Sequence, residues 1–494
     1  MPRENVGRKQ HSVALTPPGE ESSVLPAYVV GGGKQGACGA DEELIRMHLV
    51  MRYGKDGLPV DLPDDKVKHV LRLRTLPVLE RPEAALREAL REPIGCAPLA
   101  EVAQGRSNAV IVVSDLTRPV PNKVLLPPIL ETLGEAGLPP ERVLILVATG
   151  LHRANTEAEL LEMLGPEVVG AGCRIENHVA RDAGSHAQLG RTARGIPVQV
   201  DRRYVEADLK ILTGLVEPHL MAGYSGGRKA ICPGLCSVET VMAWHGAEML
   251  DPAEACAGNL RGNPVHEEAL AIADMAGGAD FVVNTVLNEA REIVGVFAGE
   301  MRQTHLAAME LAEQQAKVAL PEPVDIVITS AAGYPLDLTF YQGIKGMVAA
   351  LAIVKSGGSV IIAHENAEGI GGAEFTELML GLDSLDDYLG RLFSGEICLI
   401  DQWQLQEMEK VCRRATVYSV SSLPEETQRK LFVEPAATVE AALEKALAMH
   451  GPEATIAVIP EGPYVLACLE DDMVGRTNVA EAGNWEPGTG NGRS

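Results

Sequence analysis

Val143-Leu-Ile-Leu-Val-Ala-Thr-Gly-Leu-His-Arg-Ala-Asn-Thr-Glu-Ala-Glu-Leu-Leu161 is the stretch on which the reading of the fold turns. Val143 to Val147 is an unbroken apolar run of strand length, the pattern of a strand buried on both faces. Thr156 and Glu159 stand at capping-box spacing just before Leu160-Leu161, so a helix begins there. The polar segment with His152 lies between them, at the carboxyl end of the strand. This order of strand, polar loop and helix recurs on both sides. Ala109 to Val113 is a short strand with a helix after Pro121, and Leu209 to Leu212 is another strand. A second run opens with the strand Val324 to Thr329. It continues through a helix around Phe340 to Val354, then strands at Ser359 to Ala363 and Ile397 to Ile400.

Such alternation predicts an α/β fold of two domains, each with a mainly parallel sheet flanked by helices, and an active site in the cleft between them. The chain has 494 residues, more than one ordinary core holds. The expected divisions are an unstructured extension over 1–43, an N-terminal domain over 44–320, a C-terminal domain over 321–452 and a flexible tail over 476–494. A late strand, Thr455 to Ile459, returns to the N-terminal domain in this reading, completing it with residues 453–475.

Composition narrows the function classes. The net charge of −25 disfavours nucleic acid and anionic membrane surfaces as partners. A small acidic ligand remains compatible, because a local cationic pocket dominates at contact distance. No apolar stretch approaches the roughly 18–20 residues of a membrane span. The first 41 residues are polar, without the apolar core of a signal peptide. Nine scattered cysteines suit a reducing compartment, so a cytoplasmic setting is expected.

Ligands in open α/β sheets bind beyond the carboxyl ends of strands, and the polar motifs collect there. Ser114-Asp-Leu-Thr-Arg-Pro119 follows the first strand. Arg118 can grip a carboxylate and Asp115 can orient a ligand, although a simple turn with a local ion pair has the same sequence. His152 can serve as a general base, or as a hydrogen-bonded structural residue; Asn177-His178 reads as structural. The densest motif is His219-Leu-Met-Ala-Gly-Tyr-Ser-Gly-Gly-Arg-Lys229, with His245 after one further helical segment. Gly226 and Gly227 allow close backbone approach to a bulky ligand, and Arg228 and Lys229 add positive charge. The order is not that of a phosphate-binding P-loop. Tyr341, Gln342 and Lys345 share a helix face. In a chain with only 4% aromatic residues, Trp403 in Asp401-Gln-Trp403 is a candidate pocket wall, the alternative being a core tryptophan. Cys232 and Cys236, with no second pair, read as packing residues.

Taken together and in this order, these motifs resemble the nickel-dependent lactate racemase family from about Met51 to Glu461. The resemblance implies racemase or epimerase activity at C2 of a small 2-hydroxy acid, by reversible hydride transfer through a 2-keto acid. It also implies nickel and a pyridinium-3,5-bisthiocarboxylic acid mononucleotide, the nickel-pincer nucleotide. Lys229 matches the family lysine that tethers this cofactor, and Asp115, Gly226 and Gly227 are grouped with it as cofactor-binding residues. His245 matches the nickel ligand, and His152 and His219 match the two catalytic bases. Arg118, Tyr341, Gln342, Lys345 and Trp403 match substrate-lining positions. Enzymes of cofactor synthesis are implied as transient partners. The motifs do not separate lactate from malate, longer-chain acids or sugar acids. Two other classes stay open: a zinc-type metallohydrolase using His152, His219 and His245, and a nucleotide-binding protein without catalysis. A nicotinamide dehydrogenase lacks its glycine fingerprint here.

Overall fold

The computed structural model describes residues 46–471. The expected extension and tail lie outside them. The strands that position the site are β1 (Val67–Val70), β2 (Ala109–Ser114), β3 (Val143–Ala148), β4 (Arg174–Asn177), β5 (Leu209–Leu215), β6 (Phe281–Leu287), β7 (Ile293–Gly299), β8 (Val324–Ser330), β9 (Val354–Ala363), β10 (Ala415–Val420), β11 (Glu434–Pro435) and β12 (Ile456–Ile459). The helices are α1 (Asn122–Glu135), α2 (Glu157–Val169), α3 (Val238–Trp244), α4 (Phe340–Ala349) and α5 (Gln402–Arg414).

The fold is α/β, as the alternation predicts. One six-stranded sheet has the order β7-β6-β5-β2-β3-β4, parallel except for the β6–β7 pair. The other has the order β11-β10-β9-β8-β12-β1 and is parallel throughout. The apolar runs explain this placement. In β2 and β3, Ile111, Val113, Ile145 and Val147 face α1 and α2, packing with Leu125, Ile129 and Leu164. Their alternate neighbours Val110, Val112, Leu144 and Leu146 pack on the opposite side with Cys232, Cys236, Val241 and Trp244. A strand covered by helices on both faces has no polar side to show, hence the unbroken hydrophobic run. The second sheet repeats the scheme, with Val327 and Ile362 against Ile344 and Leu405, and Ile328 and Ile361 against Leu443.

The helix start at Thr156 has both capping-box bonds: the Glu159 backbone N–H donates to the Thr156 hydroxyl (3.3 Å), and the Thr156 N–H donates to the Glu159 carboxylate (2.7 Å). Two sequence expectations fail. Ile397 to Ile400 is not a strand. Its Ile397 N–H goes to the Arg391 carbonyl, side chains take later donors, Gln402 Oε1 at Leu399 and Glu374 Oε2 at Ile400, and Asp401 at φ 70° turns the chain into α5. The late strand β12 joins the second sheet, not the first, pairing with β8 from Ile326–Ile456 to Thr329–Ile459. Asp325 fixes that register by accepting from the Thr455 N–H and hydroxyl. The early strand β1 lies beside β12, so residues near both ends of the described chain complete the second sheet. Among the described residues no helix is long and apolar enough to cross a membrane.

His178 is a structural residue. It is buried, with Nδ1 donating to Asp201 Oδ2 (2.9 Å) and Nε2 facing the Cys236 carbonyl (3.0 Å). Asp201 also accepts from the Arg203 side chain and backbone. This network clamps β4 to the loop that follows Lys229. Burial alone would raise the Asp201 carboxyl, but the bonds from Arg203 and His178 bring it down to about 2. Its stabilising effect is complete above the ordinary carboxylate range and disappears as pH falls through about 2. Asp201→Asn is expected to cost roughly 3 kcal/mol in urea unfolding. The variant should also show a shallower loss of stability than the wild type between about pH 4 and 2.

Candidate active site

In the first sheet the chain leaves β2 toward β3 and β4, then returns to the other side of β2 as β5. That reversal makes the β2–β5 boundary a topological switch point, where the loops beyond adjacent strands diverge and leave a crevice. The loop after β2 carries Asp115 and Arg118, the loop after β3 carries His152, and the chain after β5 carries His219. These residues line one cavity of about 190 Å³. Gly226, Lys229 and His245 join them from the same sheet, and Tyr341, Gln342, Lys345 and Trp403 from α4 and α5 of the second. The outlier is Gly227, which is absent from the lining. Its φ is +50° and a Cβ there would press on the His305 ring at 2.8 Å, so packing and backbone conformation account for the glycine.

His152 Nδ1 donates to Asp115 Oδ2 at 2.6 Å. The other Asp115 oxygen accepts from the Thr117 hydroxyl (2.6 Å) and backbone N–H (3.1 Å). Burial pushes the Asp115 carboxyl up, but His152, Thr117 and Arg118 together hold it below its usual range. An ionised Asp115 fixes the imidazole proton on Nδ1 and leaves the Nε2 lone pair unprotonated. Asp115 thus lines the cavity and is bonded to His152.

His219 has the opposite setting. It stands in the short strand Pro218–His219, paired with Gly223–Tyr224, and the turn between them folds back onto its ring. The backbone N–H groups of Met221 and Ala222 both donate to Nδ1 at 3.3 Å. A neutral ring that accepts at Nδ1 carries its proton on Nε2. Burial drives the imidazole well below its ordinary range, and repulsion from Lys229, Arg118 and Lys345 adds to this. In its neutral form His219 therefore carries an N–H at Nε2.

Lys229 follows in a 3-10 turn, its ammonium nitrogen 5.0 Å from the centre of the Trp244 ring. Burial, then the charges of Arg228 and Arg118, push it well below the ordinary lysine range. This shift favours the uncharged, nucleophilic form of the amine. Arg228 does not itself line the cavity. It is fully buried and donates to the carbonyls of Tyr224 (3.1 Å) and Ala222 (2.7 Å), bracing the loop between His219 and Lys229. Cys232 and Cys236 pack in the core.

His245 caps the end of α3. Its Nδ1 donates to the Val241 carbonyl (3.1 Å), which leaves Nε2 as a free lone pair. Burial, with Lys229 close by, lowers its pKa to about 3. A neutral imidazole whose rear nitrogen is held by a carbonyl has the preparation of a metal ligand. Trp403 stacks on it with ring centres 4.2 Å apart and planes 17° apart. Trp403 is therefore both pocket wall and buried packing residue. Its indole N–H donates to the Tyr341 hydroxyl (3.1 Å), which in turn is bonded to Asp401. Lys345, largely through burial and the nearby Arg118 charge, is lowered to about 7. The buried Gln342 Oε1 has no bonding partner within the protein.

The donor set suits a cofactor-borne metal. Among the described residues no three His, Cys, Asp or Glu side chains gather into a metal-holding group. A metal at His245 would take its remaining donors from a bound molecule, and the zinc-type arrangement of His152, His219 and His245 finds no such cluster. Sequence reading passed over three residues. Asp401 was quoted without a role, Gln404 lines the cavity one turn from the Asp401 cap, and Tyr464 follows β12 near Lys345. The strand-end position of Pro460-Glu-Gly-Pro-Tyr464 was the available signal for the last.

The family models for the lactate racemase N-terminal and C-terminal domains match residues 53–257 and 320–467. The lactate racemase of Thermoanaerobacterium thermosaccharolyticum is 36% identical over 424 residues, covering 85% of this chain and 99% of its own. That of Lactiplantibacillus plantarum is 36% identical over 387 residues, covering 78% and 90%. The apoprotein structure of the Thermoanaerobacterium enzyme superposes with a TM-score of 0.80 at 34% identity, over 85% of this chain and all of that one. A Thermotoga maritima protein shares the fold at a TM-score of 0.61 and 20% identity. With both domain models matched in order and a relative of this identity covered from end to end, the chain belongs to the lactate racemase family.

Proposed function

We propose that this protein is a racemase or epimerase that inverts C2 of a small 2-hydroxy acid, in the cleft between its two α/β halves. The observation that carries the reading is the opposed hydrogen bonding of two histidines on one cavity: Nδ1 of His152 faces the Asp115 carboxylate, which suits Nε2 to accept, and Nδ1 of His219 faces two backbone N–H groups, which suits Nε2 to donate. Inversion through a planar intermediate needs both a proton acceptor and a proton donor. A C2 proton is very weakly acidic, so departure of that hydrogen as hydride avoids a carbanion. When bound, the nickel-pincer nucleotide supplies the hydride acceptor and donor. His245 Nε2 would ligate the nickel, and the uncharged Lys229 amine would tether the nucleotide.

The chain's own residues supply the remaining chemistry. Arg118 and Lys345 hold the substrate carboxylate. His152 Nε2 takes the hydroxyl proton, and Asp115 stabilises the imidazolium that forms. The 2-keto acid turns about its held carboxylate, and as hydrogen returns to the other face the oxygen takes a proton from Nε2 of His219 in its imidazolium form, which is left neutral with its proton on Nδ1. In the reverse direction His219 must hold its proton on Nδ1. The two N–H contacts it gives up are long, at 3.3 Å, and so are weak. Trp403 and Tyr341 wall the cavity from water. Scattered cysteines favour a cytoplasmic setting, where the cofactor-synthesis enzymes would meet the chain.

The decisive experiment makes the protein beside the cofactor-synthesis enzymes, then measures nickel, the mass of the Lys229 peptide, and enantiomer exchange over a panel of 2-hydroxy acids by chiral chromatography. The expected result is a Lys229 adduct, bound nickel that is lost in His245→Ala, and interconversion of at least one acid. Nickel-loaded, adducted protein that interconverts none would overturn the reading. His152→Ala and His219→Ala should each lower kcat by about 10²–10⁴-fold while the adduct persists. Lys345 loses its charge as pH rises through about 7. The KM for the carboxylate substrate should therefore climb above that pH with a smaller change in kcat, and Lys345→Met should flatten this limb.

A further inference from the structure

A second chamber borders the cavity at His219. Arg118, His219, Leu220 and Lys345 each line this chamber of about 80 Å³ as well as the first. Glu217 and Tyr464 also line that chamber, with apolar surface from Pro218, Leu336 and Val348. It lies between two switch points. Glu217 follows β5 at the reversal in the first sheet, and Tyr464 follows β12, which together with β1 lies on the opposite side of β8 from β9, β10 and β11. Loops beyond both sheets thus wall one extension of the site, which is where such folds place ligands.

The chemistry of this extension differs from what the smallest 2-hydroxy acid requires. A methyl group at C2 asks only for apolar walls. Here the wall carries a carboxylate and a phenol. The Glu217 backbone is held on both sides, its N–H donating to the Ser225 hydroxyl (3.0 Å) and its carbonyl accepting from the Ser225 N–H (2.9 Å). The nearest Arg118 nitrogen to the carboxylate is 3.8 Å away, beyond hydrogen-bond distance, so this pair does not saturate the acceptor. Burial raises the Glu217 carboxyl, with Arg118 and Lys345 opposing the shift. An acceptor facing a chamber is best satisfied by a donor on the ligand. An aliphatic chain would leave it unmet, and a second substrate carboxylate would meet a like charge.

We propose that the substrate is a polyhydroxylated 2-hydroxy acid whose chain beyond C2 enters this chamber and donates hydroxyl hydrogen bonds to Glu217, with Tyr464 as a further partner. This inference rests on the racemase reading and names its substrate class. The test compares holoenzyme on four-carbon acids of matched length: threonate, with hydroxyls on both carbons beyond C2, and 2-hydroxybutanoate, with none. Lactate and malate complete the panel. The expected kcat/KM for epimerisation of threonate exceeds that for 2-hydroxybutanoate by at least about tenfold, since a site built to bond a hydroxyl rejects the analogue that lacks it. Glu217→Leu should shrink that ratio by about the same factor, with Glu217→Gln in between. Calorimetric titration of threonate into the holoenzyme and the variants supplies a second readout, and circular dichroism checks that the variants fold. Equal or better turnover of lactate, malate or 2-hydroxybutanoate by the wild type would overturn the proposal while sparing the racemase reading. So would a ratio unmoved in a folded Glu217→Leu protein. Failure to invert any of these acids in nickel-loaded, adducted protein would remove the racemase reading and this inference together.

Discussion

Parallel strands bring every carboxyl end to the same edge of a sheet, and the site depends on that constraint. β2, β3 and β5 are neighbours in the first sheet. The loops that leave them need no further design to approach one another, so Asp115, Arg118, His152 and His219 meet although the first and last stand 104 positions apart in the chain. The reversal of strand order at β2 and β5 then opens the space between these loops. The second sheet adds α4 and α5 on the other side of the cavity, and with them the Lys345 amine and the Trp403 ring.

Burial does the rest of the electrostatic work. Lys229, His219 and His245 are each held toward their neutral forms chiefly by removal from water, with the surrounding cations adding to the effect. Neutrality is what two of the proposed tasks need: an amine that can be acylated and an imidazole that binds a metal. The hydrogen bonds at Nδ1 then differentiate three chemically identical side chains. A carboxylate on His152 and a carbonyl on His245 free Nε2 as a lone pair, whereas two backbone N–H groups on His219 do the reverse. The chain as a whole is strongly acidic, at −25, yet Arg118 and Lys345 give the cavity a local cationic character suited to a carboxylate.

Much of this architecture was legible in one dimension. Runs such as Val143 to Val147 mark strands buried on both faces, and Thr156 with Glu159 marks a helix start, because both signals are local. Ile397 to Ile400 misled for the same reason. Ile397 is buried as a strand residue would be, but no neighbouring strand accepts the segment's bonds, and side chains of Gln402 and Glu374 do so instead. The sheet that β12 joins was equally invisible, since strand partnership is a long-range property. Gly227 and Arg228 looked like ligand groups within a glycine-rich basic motif, and only packing separates them from Gly226 and Lys229. Gly227 rests against His305, and Arg228 turns inward to brace backbone carbonyls.

The sequence by itself determined the α/β class, the strand ends at which polar residues collect, and the motifs by which the chain resembles its family. It did so because periodicity, capping and motif order are written locally. Tertiary structure alone decided which strands are neighbours, which partner each histidine Nδ1 meets, and that Glu217 and Tyr464 share a second chamber. These depend on which atoms meet across long stretches of chain, and hydrogen-bond partners and burial exist only once the chain has folded.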